Sequence, residues 1–268
     1  MPEPVPEDMS VQPGVVTALR GLRAACTFLT RVPVGGFPYS DAEWRWAAGW
    51  FPAVGLLIGC ACAAVHAALL PAGPWPAAAA SVSAGLLLTG AFHEDGLADT
   101  ADALGGAYTR ERLLEILKDS RVGSFGAAAL TMALLLRVAC LAALGPAAPA
   151  AIVIVHACSR VPPLWLMRAL PYVTRDAAAR SRLVARPGDA QVLLATGTGA
   201  LVLLAAVALD LLRGDQAIAL ALVGVGAAIV GGWRFVARAG GITGDFLGAT
   251  QQVVEGLGLL ALLWVAGP

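Results

Sequence analysis

Long apolar runs fill most of the chain, and short polar or turn-rich breaks separate them. Runs of about 20 apolar residues are what a membrane-crossing helix requires. Seven are predicted, at about 46–70, 75–93, 124–144, 150–170, 190–209, 216–237 and 246–266. Trp44, Trp46 and Trp50 stand at one edge of the first run as interface anchors. Pro52 and Gly55 predict a bend near its start. Residues 13–32 are apolar too, but they carry Arg20, Arg23 and Arg31, which suits a helix lying in the interface better than one crossing it. The pattern as a whole predicts an all-α, polytopic membrane helical bundle of about seven transmembrane helices plus an N-terminal interfacial helix.

The breaks are equally regular. Residues 33–45 hold Pro33, Gly35, Gly36 and Pro38, a turn-rich loop. Residues 94–123 are polar and long enough for two short helices, broken at Gly105-Gly106 and restarted at Thr109. Gly145-Pro146 and Pro149 mark a turn, and polar loops are expected at 171–189 and 238–245. Residues 1–12 are acidic and Pro-rich, a disordered lead-in without the basic start and apolar core of a cleaved signal peptide. Residues 13–268 then form a single integral-membrane domain.

Composition agrees. Hydrophobic residues make up 58% of the chain and charged residues 13%, and mean hydropathy is +0.75, well away from the usual soluble balance. Formal net charge is zero, so no nucleic acid is expected as a partner. With the N-terminus inside, segments 1–45, 94–123, 168–189 and 234–245 face the cytoplasm and hold 15 of the 18 Lys and Arg. That orientation satisfies the positive-inside rule and the opposite one violates it. Cys26, Cys60, Cys62, Cys140 and Cys158 form no zinc-like CxxC pair and read as inert thiols.

One stretch breaks the apolar pattern abruptly. Residues 75–91 carry no charge, and Glu94, Asp95, Asp99 and Asp102 follow within nine residues. In a helix, Asp95, Asp99 and Asp102 fall at i, i+4 and i+7, on one face. Capping a helix N-terminus explains Glu94 and Asp95, but not the continuation of the face to Asp102. Three like charges on one face call for a divalent cation, and Mg²⁺ prefers oxygen ligands shared with substrate phosphates. Glu94 points about a quarter turn off that face at 100° per residue and is the least suited of the four.

Further polar groups are candidates for the same chemistry. Lys118 and Arg121 can bind phosphate oxygens, and Asp119 can complete a metal shell. The glycines of 118–126 let a polyanion approach the backbone. Arg160 lies inside an apolar run beside Ser159, where an arginine usually faces a cavity or a partner. Arg137, equally inside a run, has no polar neighbours in sequence and reads as structural. Thr243, Asp245 and Gln251 enter the last run within the Gly-rich stretch 240–252, which suits close approach of a ligand or of another helix. His93 adjoins the acids and can bind a phosphate or orient a carboxylate, whereas His66 and His156 read as satisfied core histidines. Acids for Mg²⁺ together with bases for phosphate suggest phosphoryl transfer.

The run His93-Glu-Asp-Gly-Leu-Ala-Asp-Thr-Ala-Asp, followed by Lys118-Asp-Ser-Arg-x-Gly-x-x-Gly and Gly241-Ile-Thr-Gly-Asp-x-x-Gly-Ala, resembles the cobalamin synthase family of adenosylcobinamide-GDP ribazoletransferases. Phe28-Leu-Thr-Arg-Val-Pro, Phe51-Pro-x-x-Gly and Ser159-Arg160 match as well, so the likeness runs from about residue 28 to 255. It implies a multi-pass enzyme of the bacterial cytoplasmic (inner) membrane that needs Mg²⁺ and works on the cytoplasmic side. Its substrates would be adenosylcobinamide-GDP and α-ribazole, or α-ribazole 5′-phosphate, with GMP released late in cobalamin biosynthesis. Metal ligands would be Asp95, Asp99, Asp102 and Asp119, with Asp102 or Asp245 as proton acceptor. His93, Lys118, Arg121, Arg160, Thr243 and Gln251 would contact substrate. Membrane lipid is an expected partner, and a homo-oligomer or association with other cobalamin-pathway enzymes is compatible with the likeness. The acid run is also similar to the Asp-rich helices of CDP-alcohol phosphotransferases, an analogy of chemistry alone. The rival reading is a transporter with an acidic cation or proton site. Clustering of the acids at one membrane face and the near absence of charge from the centres of the runs weigh against it.

Overall fold

The computed structural model describes residues 14–173 and 186–266. The expected disordered lead-in at 1–12 and most of the 171–189 loop lie outside them. Among the described residues the chain is helical, with a single isolated parallel bridge between Tyr172 and Ile242. The helices are α1 (Gly14–Leu29), α2 (Asp41–Ala47), α3 (Phe51–Leu69), α4 (Pro74–Thr89), α5 (Phe92–Gly106), α6 (Arg110–Ile116) and α7 (Ser124–Leu144). They continue with α8 (Ala148–Cys158), α9 (Pro162–Ala169), α10 (Asp189–Ala208), α11 (Gly214–Ala239) and α12 (Gly244–Ala266).

Five stretches are long and apolar enough to cross a membrane: Asp41–Ala72, Ser124–Ala169, Asp189–Ala208, Gly214–Ala239 and Gly244–Val265. A sixth is α4 with α5, if that bent pair counts as one span. This makes the chain a multi-pass membrane protein, but the count differs from seven for two physical reasons. Ser124–Ala169 is one 46-residue apolar stretch. At 1.5 Å per residue it is about twice the thickness of a hydrocarbon core, so it has length for two crossings. The expected run at 75–93 stops short. α4 is only 16 residues long, and the axis turns by 91° into α5. Gly90 (φ 67°) and Ala91 (φ 56°) are both left-handed at that corner. Hydropathy cannot register such a corner, because Ala91 and Phe92 continue the apolar pattern.

α1 is not among the membrane-length stretches. It packs along α2 and α3 through Gly21, Ala24, Ala25 and Leu29 while Val15 and Leu19 stay exposed. The Trp50 indole ties the two together by donating to the Ala18 carbonyl at 2.6 Å. α2 begins with a capping box, in which Ser40 and Glu43 satisfy each other's backbone N–H groups.

α12 is the central element. In its most apolar window 67% of residues are buried, against 17% for α10 and for α11. It packs on α5, α7, α8, α9 and α11. α3 lies against α8, where Gly55 and Gly59 let the backbones close up: a Cβ at Gly59 would stand 2.8 Å from the Cα of Val153. A helix this buried ordinarily carries only apolar side chains. α12 instead buries Thr250, Gln251, Gln252 and Glu255, and those groups require partners.

Candidate active site

α5 carries the acidic face, and the structure divides it into parts with different work. Gly96 is pressed against the first turn of α12. A Cβ there would lie 2.9 Å from the Asp245 carbonyl oxygen and 3.1 Å from its Cα. The close approach brings Asp245 within electrostatic reach of Asp95 and Asp99. The charges that bear on Asp99 come from Asp95, Asp245 and Asp102. Asp95 is exposed, while Asp99 and Asp245 are half-buried. Among the described residues none of the three has a cationic partner, and Asp245 accepts a long 3.4 Å bond from the Thr243 hydroxyl.

Asp102, the third member of the predicted face, is occupied. Its carboxylate accepts the N–H of Gly123 at 2.7 Å and of Gly126 at 2.9 Å. It therefore caps the N-terminus of α7 from a different helix, where a negative charge is favoured. Gly123 itself supplies no side-chain cap. This accounts for the spaced glycines of the 118–126 loop in another way than expected: the anion that approaches their backbone is Asp102. A Cβ on Gly123 would stand 2.5 Å from Asp102 Oδ1, and one on Gly126 would fall on Oδ2. Gly126→Ala is expected to cost about 1–3 kcal/mol of stability through this overlap and the displaced N–H bond. Adding Asp102→Ala should recover part of it, read by thermal melting in detergent. A double variant no better than Gly126→Ala alone would separate the glycine from Asp102.

The remaining predicted residues scatter. Asp119 is forked by Arg121, with Nε at 3.0 Å and Nη2 at 2.6 Å, and that hydrogen bonding holds its carboxyl down at about 2. Its charge is not among those that bear on Asp99, so the structure does not bring Asp119 to the acid cluster. Lys118 is exposed beyond the end of α6. Thr243 is buried and accepts the Phe246 N–H at 3.3 Å, at the start of α12. His93 is buried on α5, with its ring edge-on to Phe92. Among the described residues no three His, Cys, Asp or Glu side chains converge as a ready-made metal cage.

Arg160 and Gln251 belong to a network beneath the acids. Arg137 donates to Glu94 Oε1 at 3.0 Å and to Gln252 Oε1 at 3.1 Å, and it pairs with Glu255 through Nη2. Gln252 donates to Glu94 at 3.0 Å and to Gln251 at 2.9 Å. Gln251 in turn donates to Ser159 at 3.1 Å and to Glu255. Arg160 bonds the His156 carbonyl at 2.6 Å and lies 3.3 Å from its Nδ1. Two arginines face two glutamates, so the buried charge is balanced. The network corrects the reading of Arg137 as a residue without polar neighbours: its neighbours come from α5 and α12, both far away in sequence. It also explains Glu94, whose side chain turns inward, off the acidic face. His156 is satisfied as expected. His66 is not, since both its ring nitrogens are buried without a partner, against the expectation of a satisfied core histidine. Sequence reasoning also missed Glu255 and Gln252 as members of this network. Their i, i+3 spacing on one helix was the available signal.

A groove of about 480 Å³ opens beside the acids, between the end of α1, the α4–α5 corner and the start of α7. Asp95, Arg31, Phe92 and Val122 are on its walls.

No solved structure matches the chain. A relative from Albidiferax ferrireducens, named adenosylcobinamide-GDP ribazoletransferase, is 42% identical over 258 residues, covering 85% of this chain and 91% of the relative. Proteins of the same name from Shewanella piezotolerans and Ralstonia nicotianae are 40% and 41% identical, covering 90% and 92% of this chain and 93% and 95% of their own lengths. The family model described as cobalamin-5-phosphate synthase matches residues 21–263, and the chain belongs to that family.

Proposed function

We propose that this chain joins adenosylcobinamide-GDP to α-ribazole, or to α-ribazole 5′-phosphate, and releases GMP in a Mg²⁺-dependent reaction. The observation that carries the metal is the set of Asp95, Asp99 and Asp245, three carboxylates gathered at the α5–α12 contact without a cationic partner among the described residues. Their hard oxygen donors fit Mg²⁺, which is commonly held by one or two carboxylates plus substrate phosphates and needs no complete protein cage. Bound there, it would neutralise diphosphate charge and stabilise the departing phosphate.

The chain's own residues do the rest. Asp95 and Asp99 would hold the metal, so that the diphosphate it carries is positioned against α5. A ribazole hydroxyl attacks the phosphorus on the cobinamide side of the diphosphate. A new P–O bond forms, the bridging P–O bond breaks, and GMP leaves with the electron pair. The hydroxyl proton passes to a carboxylate. Asp245 suits that role better than Asp102, whose oxygens already accept two backbone N–H groups. The position of Lys and Arg along the sequence supports a cytoplasmic-membrane enzyme with these acids on the cytoplasmic side.

The test is GMP release by the purified protein in detergent with adenosylcobinamide-GDP and α-ribazole. Release is expected with Mg²⁺, is expected to stop in EDTA and should return on adding Mg²⁺. Undiminished release in EDTA would remove the metal from the reaction. No release under any condition would remove the reaction itself.

A further inference from the structure

Two arginines expected to grip phosphate have partners within the protein. Arg160 is buried in the network under α5, and Arg121 is taken up by Asp119. The groove beside Asp95 contains a different one. Its volume of about 480 Å³ is in the range of sites that take small organic ligands. Arg31 is the basic residue among those lining it, and Asp95 lines it too.

Arg31 is held in place by the α4–α5 corner. Its backbone N–H donates to the Leu88 carbonyl at 2.8 Å, which docks the end of α1 onto α4. Its guanidinium lies on Gly90, where a Cβ would overlap Nε and stand 3.0 Å from Cζ. Gly90 thus serves twice, by its left-handed turn and by the space it leaves. Yet among the described residues the guanidinium is exposed, with no ion pair and no hydrogen bond. The other donors on the wall are spent. Thr27, Thr30 and Thr89 donate to the carbonyls of Arg23, Cys26 and Gly85 at 3.0, 2.8 and 2.9 Å. An acid and a base that face one groove and do not meet suit a ligand carrying both signs. A metal-bound diphosphate would be such a ligand: Asp95 would favour its cation and the Arg31 fork its oxygens.

We propose that Arg31 is the residue that binds the diphosphate of adenosylcobinamide-GDP, from the wall of the groove it shares with Asp95. This rests on the transfer reaction proposed above and adds the side chain that recognises its substrate. The test is equilibrium binding of adenosylcobinamide-GDP to the full-length protein in detergent, in EDTA and in Mg²⁺. Arg31→Ala should weaken binding roughly 10- to 100-fold in both buffers, the worth of charged hydrogen bonds to phosphate. Arg31→Lys, which keeps the charge and loses the fork, should fall between. α-Ribazole affinity should not change, and the loss in turnover should appear chiefly in KM. If Arg31→Ala does not fold, Arg31→Lys and Arg31→Gln decide the matter by the same measurement. Wild-type affinity in the folded variants overturns the role of Arg31 and leaves the reaction standing, provided GMP is still released. Failure of the wild-type protein to bind adenosylcobinamide-GDP at all overturns both.

Discussion

Asp99→Asn and Asp95→Asn are each expected to lower GMP release by about 10²–10³-fold or more, the scale seen when one charge-stabilising group is removed from a transition state. Both side chains stand at the α5–α12 contact, and neither has a cationic partner among the described residues. Replacing either with its amide keeps the shape and removes the charge that would hold a metal-bound diphosphate. Neither change should unfold the protein, since no described hydrogen bond or ion pair is lost. Relief of the repulsion among Asp95, Asp99, Asp245 and Asp102 should even raise the melting temperature slightly. Loss of activity with unchanged or improved stability is the signature expected of a residue kept for chemistry. Asp119→Asn is the contrast: its partner is Arg121, outside the acid cluster, and its effect on turnover should be far smaller. Asp245→Asn should abolish turnover, since it removes the proton acceptor and one of the three carboxylates of the metal site together. GMP release, melting in detergent and insertion into membranes measure all four variants. Near-normal turnover by Asp95→Asn or Asp99→Asn would end the metal assignment.

The acidic face and most helices were legible in the sequence because both are local. A spacing of i, i+4 and i+7 needs only the helix period to be read, and apolar runs need only length. What the sequence did not carry was whatever depended on distant segments. Asp102 belongs to the face by spacing, yet its carboxylate is claimed by Gly123 and Gly126, 21 and 24 positions on. Arg137 looked isolated because Glu94 and Gln252 lie 43 and 115 positions away. Arg160 was correctly read as too costly to face lipid. In the structure it bonds the carbonyl of His156, one turn earlier on its own segment. The corner at Gly90-Ala91 escaped because hydropathy carries no information on φ. The Gly-rich start of α12 was read as open to a ligand or a helix, and it is α5 that approaches: Gly96 meets Asp245, and Gly248 meets His93.

Arg137→Met is expected to have the largest effect on stability. Arg137, Glu94 and Glu255 are all buried, and with Arg160 they balance two positive charges against two negative ones. Removing one arginine leaves a net negative charge among α5, α7 and α12, and taking one partner from a buried pair costs about 3–5 kcal/mol. That is a large share of the 5–15 kcal/mol that holds an ordinary protein together. The variant should melt far below wild type or fail to accumulate. Glu255→Gln alone should also destabilise, since Arg137 then keeps only Glu94. The double variant Arg137→Met, Glu255→Gln restores neutrality, because Arg160 then faces Glu94 alone. It should therefore be more stable than the sum of the single effects predicts, and the size of that shortfall measures the coupling directly. Glu94 sits one residue before Asp95, so Glu94→Gln should lower turnover as well as stability, by loosening the first turn of α5 from α7 and α12. Melting of each variant in detergent, set beside its GMP release, separates these effects. An Arg137→Met protein that melts with wild type would show that the buried charges do not hold α5 in place, and the acids would then owe their position to the glycine contact between α5 and α12 alone.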